Sequence, residues 1–247
     1  MEFKNKTVII TGAASGMGKL SCERFAEEGA NIVMLDVNEE ALKKQENELK
    51  DKGFNALGIV CNVRNYYEIE NAVKTAKETY GTVDVTISYA GGFPGRIFNE
   101  AVPFGKRSIE SLDWGVDVNF KAPLYMARAV VDIMKEQKSG VIINIGSIDG
   151  VTGSATVDYS SEKAGLIGLT KSIALYGADS NVRCCMVSPG PVMTRPGMAN
   201  MRTPLGRAAE PIEVVDLVMY LASGKAAFIS GDNYLVDGAR ACAAGIY

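Results

Sequence analysis

Tyr159 and Lys163 stand four residues apart in V-D-Y-S-S-E-K, twelve residues after Ser147, in a chain with no histidine. On a helix, positions i and i+4 share a face, so the Lys163 ammonium can lie beside the Tyr159 phenol and favour the phenolate. A free phenol titrates near ~10 and is a poor base at neutral pH. A unit charge about 4 Å away at an effective dielectric of about 20 is worth ~4 kcal/mol. One pKa unit is ~1.4 kcal/mol, so a depression of up to roughly three units is available. This predicts Tyr159 as a general acid/base. The same spacing occurs on ordinary solvated helix faces, so the pair gains meaning only from what surrounds it. The missing histidine excludes Ser-His-Asp and Cys-His catalysts and removes the commonest partner for a zinc site, and no metal is expected.

The elements that position the pair follow from periodicity. Short β-branched runs at 7–11, 31–35, 56–60, 83–88, 140–145, 182–187 and 234–236 alternate with helix-length amphipathic segments. That alternation is the pattern of βαβ units on a parallel sheet. One such helix, 38–52, opens with an N-capping asparagine and acids in its first turn. A length of 247 residues with 47% hydrophobic content suits one large core, and no linker, repeat or low-complexity tract divides it. A single α/β domain is expected. The net charge of −3 offers no basic field for nucleic acid. No apolar run approaches membrane-spanning length, and a cleavable leader is not apparent, so a cytoplasmic protein is expected. The five cysteines (Cys22, Cys61, Cys184, Cys185, Cys242) lack a C-x-x-C spacing and read as reduced, mostly buried thiols.

The first strand runs into T-G-A-A-S-G-M-G-K-L, placing Gly12, Ser15, Gly16, Met17 and Gly18 in a strand-to-helix turn. Glycine there permits a tight turn, approach of backbone N–H groups to a pyrophosphate, and close helix–strand packing, while the helix N-terminus favours negative charge. Eighteen residues beyond Gly18 the second strand ends at Asp36, where a carboxylate can accept from the ribose hydroxyls of an adenosine. A turn or capping aspartate is the alternative reading.

The ordered set T-G-x-x-x-G-x-G, Asp36, Asn119 in V-D-V-N-F-K, Ser147 in I-I-N-I-G-S, Tyr159/Lys163 and V-S-P-G-P-V-M-T resembles the short-chain dehydrogenase/reductase family over essentially the whole chain. The resemblance implies a Rossmann-type doubly wound, seven-stranded parallel sheet flanked by helices. It implies a catalytic tetrad of Asn119, Ser147, Tyr159 and Lys163, with Tyr159 exchanging a proton with the substrate oxygen and Ser147 stabilising developing charge on that oxygen. Lys163 would hold the nicotinamide ribose, and Asn119, where its helix bends, would hold a water leading to solvent. Asn62 and Val63 would flank the adenine, Ala90 and Gly91 the adenosine, and Pro189, Gly190, Val192 and Thr194 the nicotinamide.

Two residues depart from the family's pattern: Asn62 where an aspartate is usual, and S-Y-A-G at Ser88, Tyr89, Ala90 and Gly91 where N-N-A-G is usual. Ser88 retains the capacity for one short hydrogen bond, whereas the bulk of Tyr89 puts packing beside the cofactor in question. The substrate end resembles a lid at 191–206 carrying Met193, Met198 and Met201, with walls from 92–94, Gly92 and Phe93 among them, and from 148–152, Ile148 and Asp149 among them. Methionine suits an apolar substrate, while Arg96, Arg195 and Arg202 could bind a carboxylate or phosphate. The activity implied is NAD(H)-dependent interconversion of a secondary alcohol and a ketone, such as a hydroxysteroid, polyol, sugar or small hydroxy compound. A 3-oxoacyl-thioester reductase and a non-catalytic dinucleotide sensor are the alternatives. Helices around 109–136 and 157–177 are apolar on more than one face, and the family commonly pairs these two across a two-fold axis, so the resemblance implies a homotetramer or homodimer.

Overall fold

The computed structural model describes residues 1–195 and 197–243. Seven strands, β1 Thr7–Thr11, β2 Asn31–Asp36, β3 Ala56–Val60, β4 Val85–Ser88, β5 Gly140–Ile145, β6 Val182–Pro189 and β7 Asn233–Val236, form one sheet. Every neighbouring pair is parallel, in the order β3-β2-β1-β4-β5-β6-β7. The helices are α1 Gly16–Glu27, α2 Glu39–Asp51, α3 Tyr66–Tyr80, α4 Pro94–Ile97, α5 Ile109–Val116, α6 Ala122–Gln137, α7 Asp149–Thr152, α8 Val157–Gly177 and α9 Pro211–Ala222.

Side chains alternate across each strand, and two apolar cores form on the two faces of the sheet. Val8, Ile10, Ile32, Met34 and Cys185 pack on one face, and Ile9, Val33, Leu35, Ile142 and Cys184 on the other. Adjacent cysteines in a strand therefore point to opposite cores, where burial pushes both thiols up. The expected strands and observed ones differ at their ends. β4 begins at Val85, just after Asp84, whose carboxylate accepts from the Thr7 backbone N–H and from Lys6, each at 2.9 Å. β6 runs on to Pro189 because Ser188 and Pro189 pair with Leu235 and Val236 of β7.

The strand order reverses between β1 and β4, opening a crevice at their carboxyl ends. The expected helix at 38–52 lies at Glu39–Asp51, with Asn38 accepting from the Ala41 N–H as its N-cap. The expected helix through 109–136 is interrupted by a π-helical turn, Asp117–Lys121, between α5 and α6. Asn119 sits in that turn.

Candidate active site

Gly12 and Gly18 make the glycine turn possible. Gly12 has φ +65°, and a Cβ on it would stand 2.8 Å from the Ala90 nitrogen; a Cβ on Gly18 would fall on the Gly12 carbonyl oxygen. β1, the turn, α1 and the end of β4 can thus meet only without side chains at those points. Asp36, at the end of β2, accepts from the Ala14 N–H through Oδ2 and from the Asn38 N–H through Oδ1, each at 3.0 Å. Its carboxylate braces the turn and retains lone pairs facing the crevice.

One cavity of roughly 790 Å³ runs from this end to the tyrosine. Its walls include every residue expected at a dinucleotide: Gly12, Ser15, Gly16, Met17, Gly18, Asp36, Asn62, Val63, Ala90, Gly91, Tyr159, Lys163, Pro189, Gly190, Val192 and Thr194. Ser147 lines it too, as do Gly92, Phe93, Ile148, Asp149 and Met198.

Asn119 does not reach the cavity. It is fully buried behind Gly91 and Gly92, its amide donating to the Gly92 carbonyl at 2.8 Å and to Glu162 Oε2 at 2.7 Å, its oxygen accepting from the Gly92 N–H at 2.9 Å. Met193 is also outside. Val192 forms an isolated parallel bridge with Ala209 and points inward, so the next side chain points out, and Met193 is 37% exposed. Met201, Ile97, Trp114, Thr156, Arg96, Arg195 and Arg240 complete the substrate end. Trp114, Ile97 and Arg240 carry no sequence signal for this role, because loops and helix faces distant in the chain bring them in. Residue 196 of the expected lid lies outside the described residues.

The electrostatics correct one expectation. Burial pushes the Tyr159 phenol up to about 12; Ser147 opposes this, Asp149 and Glu162 add to it, and Arg195 opposes it. Burial outweighs the depression that the Lys163 spacing suggested. The Lys163 ammonium donates to the Ile145 carbonyl at 2.9 Å and lies 5.9 Å from the tyrosine ring centre. Burial lowers Lys163 to about 8, against the charge of Glu162. Two further expectations change. Tyr89 turns under α1, where Ser21 Oγ donates to its hydroxyl at 2.7 Å and the ring joins the core, so its bulk is accommodated by the fold. Ser88 makes no side-chain hydrogen bond among the described residues; its hydroxyl is buried without a partner. Asn62 keeps an Asx turn, its oxygen accepting from the Arg64 N–H at 3.1 Å.

A family model described as short chain dehydrogenase matches residues 6–204. The chain belongs to the short-chain dehydrogenase family. It is 34% identical to a cyclohexanol dehydrogenase of Acinetobacter sp. strain SE19 over 246 residues, 96% of each chain. It is 32% identical to the 3-oxoacyl-[acyl-carrier-protein] reductase FabG of Thermotoga maritima over 248 residues, 96% of this chain and 98% of that one. The crystal structure of gox2181 superposes with a TM-score of 0.89 at 28% identity, covering 98% of this chain and 97% of that one. Short-chain dehydrogenases are oxidoreductases that use a nicotinamide dinucleotide. The glycine turn here fits one, since its positive-φ glycines leave a cradle of backbone at the mouth of α1 that a Cβ would fill.

Proposed function

We infer that this short-chain dehydrogenase interconverts a secondary alcohol and a ketone with NAD(H), Tyr159 exchanging the proton. The observation that carries this reading is the single cavity with Tyr159, Ser147 and Lys163 at one end and Asp36 with the glycine turn at the other. The glycine turn, Asp36 and the residues after β6 would hold the dinucleotide, whose nicotinamide would supply or take up the hydride. The remaining work belongs to the chain. Ser147 donates a hydrogen bond to the substrate oxygen and stabilises negative charge as it develops. Tyr159, raised to about 12, is protonated at neutral pH and so holds the proton that ketone reduction takes up. Alcohol oxidation needs its phenolate, so the oxidation rate rises toward alkaline pH. Lys163, its ammonium anchored on the Ile145 carbonyl, would also donate to the nicotinamide ribose. Asn119 braces Gly92 and the wall of the cavity, its side-chain amide engaged by Gly92 and Glu162.

Asp36 supports NAD over NADP, because a 2′-phosphate would meet a carboxylate. Ser15 and Val37, the adjacent exposed positions, carry no charge, and Lys19 pairs with Glu48 at 3.1 Å. Arg64 lines the same end but is engaged by Asp117 through two hydrogen bonds of 3.0 and 3.1 Å.

A second feature bears on the substrate. Arg96 and Arg195 line the cavity near Tyr159 with no carboxylate partner among the described residues, in a chain whose net charge is −3. Partial enclosure, then the neighbouring Arg96, lower the Arg195 pKa. Two unpaired guanidiniums beside the reacting tyrosine suit a ketone or alcohol that carries a carboxylate or phosphate. A 3-oxoacyl thioester of a phosphopantetheine carrier also brings phosphate. The test is NADH oxidation with cyclohexanone, acetoacetate and an acetoacetyl thioester. Turnover of any supports the redox reading, and acetoacetate preferred over cyclohexanone supports the anionic substrate. No turnover with intact NADH binding across a broad ketone panel favours a sensor.

The assembly is proposed as a homotetramer or homodimer through α5, α6 and α8. Val116, Leu124, Leu175 and Tyr176 leave apolar surface on these helices exposed, whereas Met126 and Leu166 are spent in the chain's own interior. Four of the five cysteines are buried free thiols, in keeping with a reducing, cytoplasmic setting.

A further inference from the structure

Glu162 directly precedes Lys163, yet the two point to different neighbours. Tyr159 and Lys163 face the cavity; Glu162, buried with 6% of its surface exposed, faces α5 and the π-helical turn. Its Oε2 accepts from Asn119 at 2.7 Å, while its Oε1 is buried with no partner among the described residues. A Cβ on Gly115 of α5 would fall on this carboxylate and lie against Pro94, so α5 leaves room for Glu162 only because Gly115 has no side chain. On its other side, Asn119 is pinned to both polar atoms of Gly92. At Gly91, a Cβ would stand 2.7 Å from Asn119 Oδ1 and 3.4 Å from the Lys163 ammonium. The carboxylate is therefore one contact from the catalytic wall, through Asn119, and one residue from the catalytic lysine.

The charges around it are few. On α8 they are Asp158, one turn earlier, and Lys163. From the segment before α5 comes Arg107, whose guanidinium lies 3.1 Å from the Asp158 carboxylate and stacks on Phe93 at 4.7 Å. Asp117 and Lys121 of the π-helical turn pair with each other at 2.7 Å, and Asp117 also pairs with Arg64. Lys163 and, after it, Arg107 favour the Glu162 anion, which Asp158 opposes, and Arg107 is shared with Asp158.

We propose that Glu162 is a positioning residue for the reaction: its carboxylate holds Asn119 in place and its charge sets the pH range in which Tyr159 and Lys163 exchange the proton. The proposal rests on Tyr159 being the acid/base. Burial raises Glu162 to about 7, with Asn119 opposing, so the carboxylate changes charge within the working range of such an enzyme. As an anion it raises Lys163, an opposite charge, and raises Tyr159, whose phenolate it repels. Both limbs of a rate–pH profile therefore sit higher because Glu162 is there.

Glu162→Gln keeps the shape and an oxygen for Asn119 but removes the charge. In NAD-dependent oxidation of 3-hydroxybutyrate, or of cyclohexanol where cyclohexanone is the better ketone, with a deuterium isotope effect establishing that hydride transfer limits the rate, both limbs of the kcat profile should move to lower pH by roughly half to one unit. Glu162→Asp keeps the charge but shortens the reach to Asn119; it should lower kcat with the limbs left near the wild-type pH. A Gln variant with reduced kcat and unmoved limbs would make Glu162 merely structural and overturn the proposal. Infrared titration, which needs no substrate, gives a second arm. A protonated carboxyl band of the wild-type protein, absent in Glu162→Gln, should vanish near neutral pH, and a wild-type protein whose carboxyls are all ionised by pH 5.5, roughly a unit above the ordinary glutamate range, would overturn it as well. Failure of the underlying reading looks different: Tyr159→Phe would then turn over normally, whatever Glu162 does.

Discussion

At the scale of single residues, spacing carried much of the chemistry, and environment altered it. Tyr159, Lys163, Ser147 and Asp36 were legible because each residue type stands at a strand end or on a helix face fixed by local periodicity. The sign of the Tyr159 shift was not legible. The i, i+4 rule brings two side chains to one face, but Lys163 spends its ammonium on the Ile145 carbonyl, and burial then governs the phenol. Met193 failed for a similar reason: one bridge, Val192 to Ala209, decides which way it points. Asp36 gives a direct test at this scale. Like-charge repulsion in a partly enclosed site is worth a few kcal/mol, about two orders of magnitude in preference. Steady-state kinetics should show NAD preferred by wild type to about that extent, and the preference eroded or inverted in Asp36→Ala with Val37→Arg. NADP preferred by wild type would mean that Asp36 only braces the turn through Ala14 and Asn38.

At the scale of elements, the seven strands and the helix at Glu39–Asp51 could be read from β-branched runs and caps, whereas the break at Asp117–Lys121 came only from the family resemblance, which put a bend at Asn119. A π-helical turn adds a residue to a helical turn without any composition of its own. Here it carries Asn119 and turns its amide onto Gly92 and Glu162, contacts between segments far apart in the chain. The glycine turn is the opposite case, local and therefore legible. Gly18→Ala should force α1 away from Gly12, costing about 1–3 kcal/mol of stability as overpacking does, and weaken NADH binding at least about tenfold. Thermal melts with NADH fluorescence titration check this; unchanged affinity would show that the turn is not the cofactor's cradle.

At the scale of the whole molecule, the reversal of strand order between β1 and β4 gathers residues from Gly12 to Arg240 around one cavity. The sequence order of the motifs gave the dinucleotide half of that cavity. The substrate half is assembled from α4, α5 and the segment after β6, whose mutual placement no short-range pattern encodes. Helix α8 is buried on one side and exposes Leu175 and Tyr176 at its end, surface that a second copy would cover. Light scattering at micromolar concentration should give a dimer or tetramer, and a monomer would remove the assembly proposal. The central claim is that this cavity transfers hydride with Tyr159 as its acid/base, and Tyr159→Phe tests it most directly. NADH oxidation with a productive ketone, measured beside NADH affinity, should fall by about 10²–10⁴-fold in the variant while the affinity stays within a few-fold of wild type. Near-normal turnover by the variant would contradict the account.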